Sequence, residues 1–290
     1  MTAPPPIFDR ALLRRRLERA LAQGPADFLL TRVVEDLDER LAVVQKRFAA
    51  IVDIGTPSSG LAQRLAARFP DATTTRIAPL PAPGSAGTTT IGDLEILPLA
   101  PETCDLAVSA LALQSANDLP GALVQIRRAL KPDGLFLGAM LGGRTLHELR
   151  TVLTEAETAL TGGVSPRVAP FADVRDMGGL LQRAGFALPV ADSDVVIVRY
   201  DNLFGLMRDL RAMGATNPLV DRTRRPTSRL LFLQAAALYA ARFADPDGRI
   251  RATFEVISLS GWAPHESQQK PAKRGSATIS LADALKPKAG

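Results

Sequence analysis

Apolar residues recur every three or four positions near the start of the chain. Leu12, Leu13, Leu17, Ala20 and Leu21 share one face, and the spacing predicts a helix over residues 9–23. Gly24-Pro25 interrupts that pattern, and a second helix is expected over 27–48. At Ala50 the pattern changes. Ala50-Ile51-Val52-Asp53-Ile54 is a short apolar run ending in a turn at Gly55, and a helical segment follows over 60–69. Strand, glycine turn and helix is the order in which a doubly wound sheet begins. Further strands are expected over 73–77, 88–91, 105–111 and 135–140. Between the last two lies a helix over 119–130, closed by Lys131-Pro132-Asp133-Gly134. Thr145 with Glu148 three residues on reads as a capping box opening a helix to 160. Beyond it come a helix over 173–184, a strand over 194–200, helices over 203–213 and 227–243, and a last strand over 253–262. The expected architecture is α/β, a doubly wound, mostly parallel sheet with helices on both faces. It divides into an N-terminal helical segment (1–48), an α/β domain (49–262) with a helical insertion at about 201–243 before the last strand, and a polar tail (263–290).

Composition narrows the classes. With 46% hydrophobic residues in 290 the chain has enough apolar material for one large α/β domain or two small ones, and disorder is excluded. The longest apolar stretch, 230–241, is broken by Gln234 and is too short to span a bilayer, so no integral membrane segment is expected. A single cysteine, Cys104, excludes an internal disulfide and a multi-cysteine metal site, and it reads as a small buried hydrophobe. Two histidines, His147 and His265, leave little for a histidine-rich metal centre, and no metal site is assigned. The net charge of +5 reflects a modest arginine excess. Arg14, Arg15, Arg16 and Arg19 read as the solvated face of the first helix. No basic stripe is interleaved with aromatics, so nucleic acid is not an expected partner. With no apolar secretory segment, and Asp9 and Glu18 arguing against a transit peptide, a soluble intracellular protein is expected.

The turn after the first strand is where candidate chemistry lies. An acid followed by glycines at alternate positions lets a backbone approach S-adenosylmethionine and aims helix amides at it. Here the sequence is Asp53-Ile54-Gly55-Thr56-Pro57-Ser58-Ser59-Gly60. Gly55 is in place, Pro57 and Ser59 stand where further glycines are expected, and Gly60 offers one permissive position out of phase. At the end of the second strand, where an acid would accept from ribose hydroxyls, the nearest polar residue is Arg76, which has donors only. Asp93, after the third strand, can accept from an adenine amino group. Asp53, Gly55, Gly60, Asp93 and Asn117 are the candidate cofactor residues.

Ile7-Phe8-Asp9-Arg10, Asn117-Asp118-Leu119-Pro120, Leu130-Lys131-Pro132-Asp133-Gly134 and Gly142-Gly143-Arg144-Thr145-Leu146-His147-Glu148-Leu149-Arg150 resemble one family, the methyltransferase-fold assembly factor of respiratory complex I. The tail Gly261-Trp262-Ala263-Pro264-His265-Glu266-Ser267-Gln268, with Pro271-Ala272-Lys273-Arg274-Gly275-Ser276-Ala277-Thr278, is its most specific stretch. The resemblance implies a seven-stranded class I methyltransferase fold and hydroxylation of an arginine on a complex I subunit, that subunit being substrate or client. It implies a cytoplasmic protein, transiently at the inner face of the membrane. A weaker similarity links the chain to the malonyl-carrier-protein methyltransferase of biotin synthesis. Gln114-Ser115 stand where the family has a His-Trp pair. Three readings follow: an S-adenosylmethionine-dependent methyltransferase; an arginine hydroxylase, whose iron site would have to use both His147 and His265; and an assembly chaperone whose decayed cofactor site leaves a partner surface at Glu266 and Arg274. His265 and Glu266 are the catalytic candidates.

Overall fold

The structure is a computed structural model describing residues 5–81 and 88–269, so Arg274 and its neighbours in the tail lie outside the described residues. The apolar runs become seven strands: β1 (Ala50–Ile54), β2 (Thr73–Ala78), β3 (Thr88–Ile91), β4 (Cys104–Ala110), β5 (Leu130–Leu141), β6 (Ala187–Tyr200) and β7 (Ile250–Trp262). They form one sheet in the order β3-β2-β1-β4-β5-β7-β6. The pairs from β3 to β5 are parallel, and β7 runs antiparallel to both β5 and β6. This is the expected doubly wound sheet. Its direction of winding reverses at β1 and β4, and α/β proteins bind ligands outside the strand ends at such a switch point.

Among the described residues eight helices cover the sheet: α1 (Arg10–Gln23), α2 (Phe28–Ala42), α3 (Gly60–Arg68), α4 (Leu119–Ala129), α5 (His147–Thr161), α6 (Val174–Arg183), α7 (Leu203–Ala212) and α8 (Arg229–Phe243). Several begin where the sequence supplies a side-chain cap. Asp9, Asp118, Asp173, Asn202 and Ser228 each accept from a backbone N–H of the first turn that has no intrahelical partner. One apolar cluster joins α2, α3, α5, α7 and α8 to one face of the sheet, and a second joins α4 and α6 to the other. Helices α7 and α8 are the insertion between β6 and β7. Cys104 is buried in the second cluster, where its Sγ donates to Ala129 O at 3.3 Å and burial pushes the thiol up to about 12.

Four sequence expectations change. The second helix stops at Ala42, not at 48: Lys46 turns away to pair with Asp133 at 2.6 Å, and Phe48 buries edge-on against Phe69. Strand β5 starts at Leu130, because Lys131-Pro132-Asp133-Gly134 is an irregularity within a strand rather than a helix stop. Asp133 has φ 61° there, and a Cβ at position 134 would lie 2.8 Å from Lys131 O. Strand β6 starts at Ala187 rather than 194; as an edge strand it carries polar Asp192, Ser193 and Asp194, which hide its length from a hydrophobic reading.

The fourth change concerns Thr145 and Glu148, which do not cap α5. Leu146, at φ 53°, precedes the helix, and the two polar side chains bond across to β7. Thr145 Oγ1 accepts from Glu255 N at 3.1 Å, while Glu148 accepts from both the N–H and the hydroxyl of Thr253. Glu255 in turn accepts from Arg144 N at 2.8 Å. A buried polar joint therefore fixes the exit of β5 to β7.

Candidate functional site

Asp53 lies near the C-terminal end of β1, in register with Arg76 on β2, and both side chains are fully buried. Arg76 Nε stands 3.8 Å from Asp53 Oδ2. The rest of the guanidinium donates to Thr56 O at 2.7 Å and to Leu80 O at 3.2 Å. Burial pushes the Asp53 carboxyl up to about 7, against the opposing pull of Thr56 and Arg76, and the same burial lowers Arg76. Arg76 is thus more than a missing ribose acceptor. It is a cation built into the turn.

Gly55 has φ 75°, a conformation glycine adopts without strain. A Cβ there would lie 2.5 Å from Leu94 Cδ2 and 3.0 Å from Ala112 Cβ. The space that glycine leaves is therefore filled by the protein's own side chains. Gly60 opens α3 on the surface, has no positive φ, and would meet only Ser58 Oγ, at 3.6 Å. Nothing at that position requires glycine.

The remaining candidates are held by the N-terminal segment. Asp93 Oδ1 accepts from Arg10 Nη2 at 2.7 Å, and Arg10 Nη1 donates to Ser115 O at 2.9 Å. Asn117 Oδ1 accepts from Ile7 N and Phe8 N at 2.8 and 2.7 Å, and its amide donates to Phe8 O. Gln114 and Ser115, at the His-Trp position of the resemblance, fold back to donate to Leu111 O and Ala112 O.

Asp53, Gly55, Gly60, Asp93 and Asn117 are therefore brought to one sheet edge. As arranged, Asp93 is paired with Arg10, Asn117 is satisfied by backbone and the turn is filled at Gly55, while both carboxylate oxygens of Asp53 are buried without a hydrogen-bond partner. His265 and Glu266 are elsewhere. They follow β7, which pairs Trp262 with Leu135 and Val256 with Leu141, so they sit at the opposite edge, roughly 20 Å away at about 3.3 Å per residue along β5. Both are exposed, and His265 Nδ1 is 2.7 Å from Ser267 Oγ. His147, at the start of α5 beyond the exit of β5, is on the other edge, with Nε2 3.3 Å from Glu148. The two histidines do not converge, which removes the iron site that would have used both within this chain.

Beside the crowded turn lies an apolar cavity of about 420 Å³. Leu13 and Leu17 of α1 and Met207 and Leu210 of α7 roof it, and the strand exits at Leu111 and Leu141 contribute to its walls. Pro57 and Ser58 also line it, so the position where a glycine was expected borders this cavity. The residues sequence reasoning missed are Arg10, Thr56 and Glu255, and Arg16, expected on the solvated face of α1, is instead half-buried in the cavity lining. Arg10 stood inside a motif read only for its resemblance. Glu255, an acid in the apolar run Thr253-Phe254-Glu255-Val256-Ile257, was a visible signal.

Known proteins match this arrangement. The Methyltransferase domain family matches residues 52–138, from β1 into β5. Arginine-hydroxylase NDUFAF5, mitochondrial, of Danio rerio is 38% identical over 97% of this chain and 90% of its own length. The chain belongs to the arginine-hydroxylase NDUFAF5 family. Malonyl-[acyl-carrier protein] O-methyltransferase of Methylovorus sp. (strain MP688) is 34% identical over 99% of this chain and 96% of its own. Among solved structures, the YcgJ protein of Bacillus subtilis aligns with TM-score 0.54 at 14% identity, over 80% of this chain and 98% of its own. That likeness is one of fold. Among the described residues no helix is long and apolar enough to cross a membrane, and no group of three or more metal-ligating side chains gathers.

Proposed function

We propose that this NDUFAF5-family protein modifies an arginine of a protein client, as the name of its relatives describes, and that the client is a subunit of respiratory complex I. The observation that carries this reading is likeness to an arginine-hydroxylase along almost the whole chain, the insertion and β7 included. The same reading puts the protein in the cytoplasm, at the inner face of the membrane while its client assembles. The client arginine approaches the C-terminal edge of the sheet, where strand exits and the N-terminal segment meet. His265 and Glu266, exposed at the far edge, act in client contact rather than in chemistry.

The closed turn favours a second reading, in which the protein assembles its client without altering it. One experiment separates the two. Complex I is purified from cells lacking the protein, with and without complementation, and its arginine peptides are weighed. One added oxygen on a single arginine, present only with the protein, supports modification. Assembly restored with no mass change supports the second reading.

A further inference from the structure

The cavity roofed by α1 and α7 holds an unusual charge. Arg16 lines it, half-buried, and donates through Nη1 to the backbone oxygens of Thr216 and Asn217. Those carbonyls hold the guanidinium in place without neutralising it. No carboxylate lies within ion-pair distance of Arg16 among the described residues. Asp9, the acid whose charge reaches Arg16, is already paired with Arg222 at 3.1 Å. The other basic residues around the cavity are Arg167, matched by Glu157 at 2.6 Å, and exposed Arg211. The lining contains a single acid, Asp27, and it is exposed.

A second polar group is also unmet. Gln114 uses its amide nitrogen on Leu111 O, while its Oε1 is buried with no partner and the side chain lines the cavity; as an acceptor it repels an anion, so the head group is assigned by Arg16 alone. The walls are otherwise mostly aliphatic, thioether and aromatic, with Phe8, Phe171, Phe232 and Phe254 among them and Ser58, Ser115, Thr216 and Asn217 as further polar residues. A cavity of 420 Å³ lies within the range of small-ligand sites, about 300–1,000 Å³.

We infer that this cavity binds a small single-chain carboxylate, an apolar chain lying between α1 and α7 with its anionic head on Arg16. The chemistry disfavours a guanidinium, which would bring a second cation to an unneutralised one, so on the proposed function the client arginine meets the strand exits beside this cavity and does not enter it. The inference stands whether or not the proposed arginine chemistry holds. Burying the chain supplies affinity through apolar area, and Arg16 supplies the sign of the head group through a charge-assisted bond.

The test is calorimetric titration of the full chain with monomeric dodecanoate, dodecanol and dodecylammonium, each below its micellar concentration. Dodecanoate is expected to bind at one site, about tenfold or more tighter than dodecylammonium, consistent with one charge-assisted contact. Arg16→Gln should abolish that preference while leaving the alcohol unchanged, and Arg16→Lys should retain part of it. Leu210→Trp, which fills the cavity, should remove all three, with circular dichroism confirming its fold. Equal affinity for anion and cation in the wild-type protein overturns the proposal, and that comparison needs no variant. Dodecanoate binding that survives Leu210→Trp overturns it too. So does binding to anionic phospholipid vesicles without binding of monomeric dodecanoate, since that would mark a membrane surface.

Discussion

Two adjacent stretches of one sheet edge have been treated in opposite ways. At the exits of β1 and β2 the volume is full: Arg76 lies against Asp53 and Thr56, Leu94 covers Gly55, and Arg10 occupies Asp93. Next to it, under α1 and α7, a cavity of about 420 Å³ is left apolar and open to a ligand. The scaffold is common to both. What differs is how much of the volume at the strand ends the chain's own side chains fill.

The comparison breaks first at the buried pair. Arg76→Met strips the cation from a fully buried carboxylate, and loss of one partner of such a pair costs roughly 3–5 kcal/mol. Asp53 already has its carboxyl raised from 3.8 to about 7. A raised acid holds its proton in the folded state when the unfolded chain has released it, so stability falls as pH climbs through that window. Without Arg76 the carboxyl rises further. The deficit in urea unfolding should therefore be small near pH 4 and grow toward pH 8, with Asp53→Asn recovering part of it in the double variant.

A second break concerns the charges around the cavity. Arg167 holds Glu157 down to about 2 from 4.5. A depressed carboxylate stabilises above its unfolded value and loses that contribution as pH falls, here between 4.5 and about 2. Glu157→Gln should cost roughly 3 kcal/mol at neutral pH by the linkage of about 1.4 kcal/mol per unit, fading by the acid end of that window. Because Glu157 no longer cancels Arg167, an anion should also bind the cavity more tightly.

Packing gives two smaller tests. Gly55→Ala meets both a positive φ and Leu94, and should cost about 2 kcal/mol or more, read as a lowered Tm. Leu13→Ala in the cavity wall should cost about 1 kcal/mol, well below the 2–5 kcal/mol usual for a close-packed leucine, because one side of Leu13 already faces empty space. If Leu13→Ala costs as much as Leu106→Ala in the core, the cavity is closed in solution.

Most of the fold was legible because its signals are local. Apolar runs placed the strands and helical spacing the helices, and those expected from 9 and 119 begin within one residue of these positions, each behind an aspartate cap. Errors arose where a distant partner decides. Thr145 and Glu148 have capping-box spacing, yet they answer Glu255 and Thr253 on β7, more than a hundred residues on. Strand β6 hid because an edge strand can carry polar residues. At the site, the sequence exposed the substitutions Pro57, Ser59 and Arg76 but not what replaced the missing ligand groups. Arg10 reaching Asp93, and Ile7 and Phe8 reaching Asn117, are contacts of high sequence separation that no local pattern encodes.

The account rests on Asp93 and Asn117 being engaged by the protein itself, and one titration addresses that directly. Purified wild-type protein is titrated calorimetrically with S-adenosylmethionine, with Asp93→Ala and Arg10→Ala alongside. The account predicts no saturable heat from the wild type up to millimolar ligand, with any binding appearing first in Arg10→Ala, where Asp93 is released. Micromolar binding to the wild type, abolished by Asp93→Ala, would contradict it.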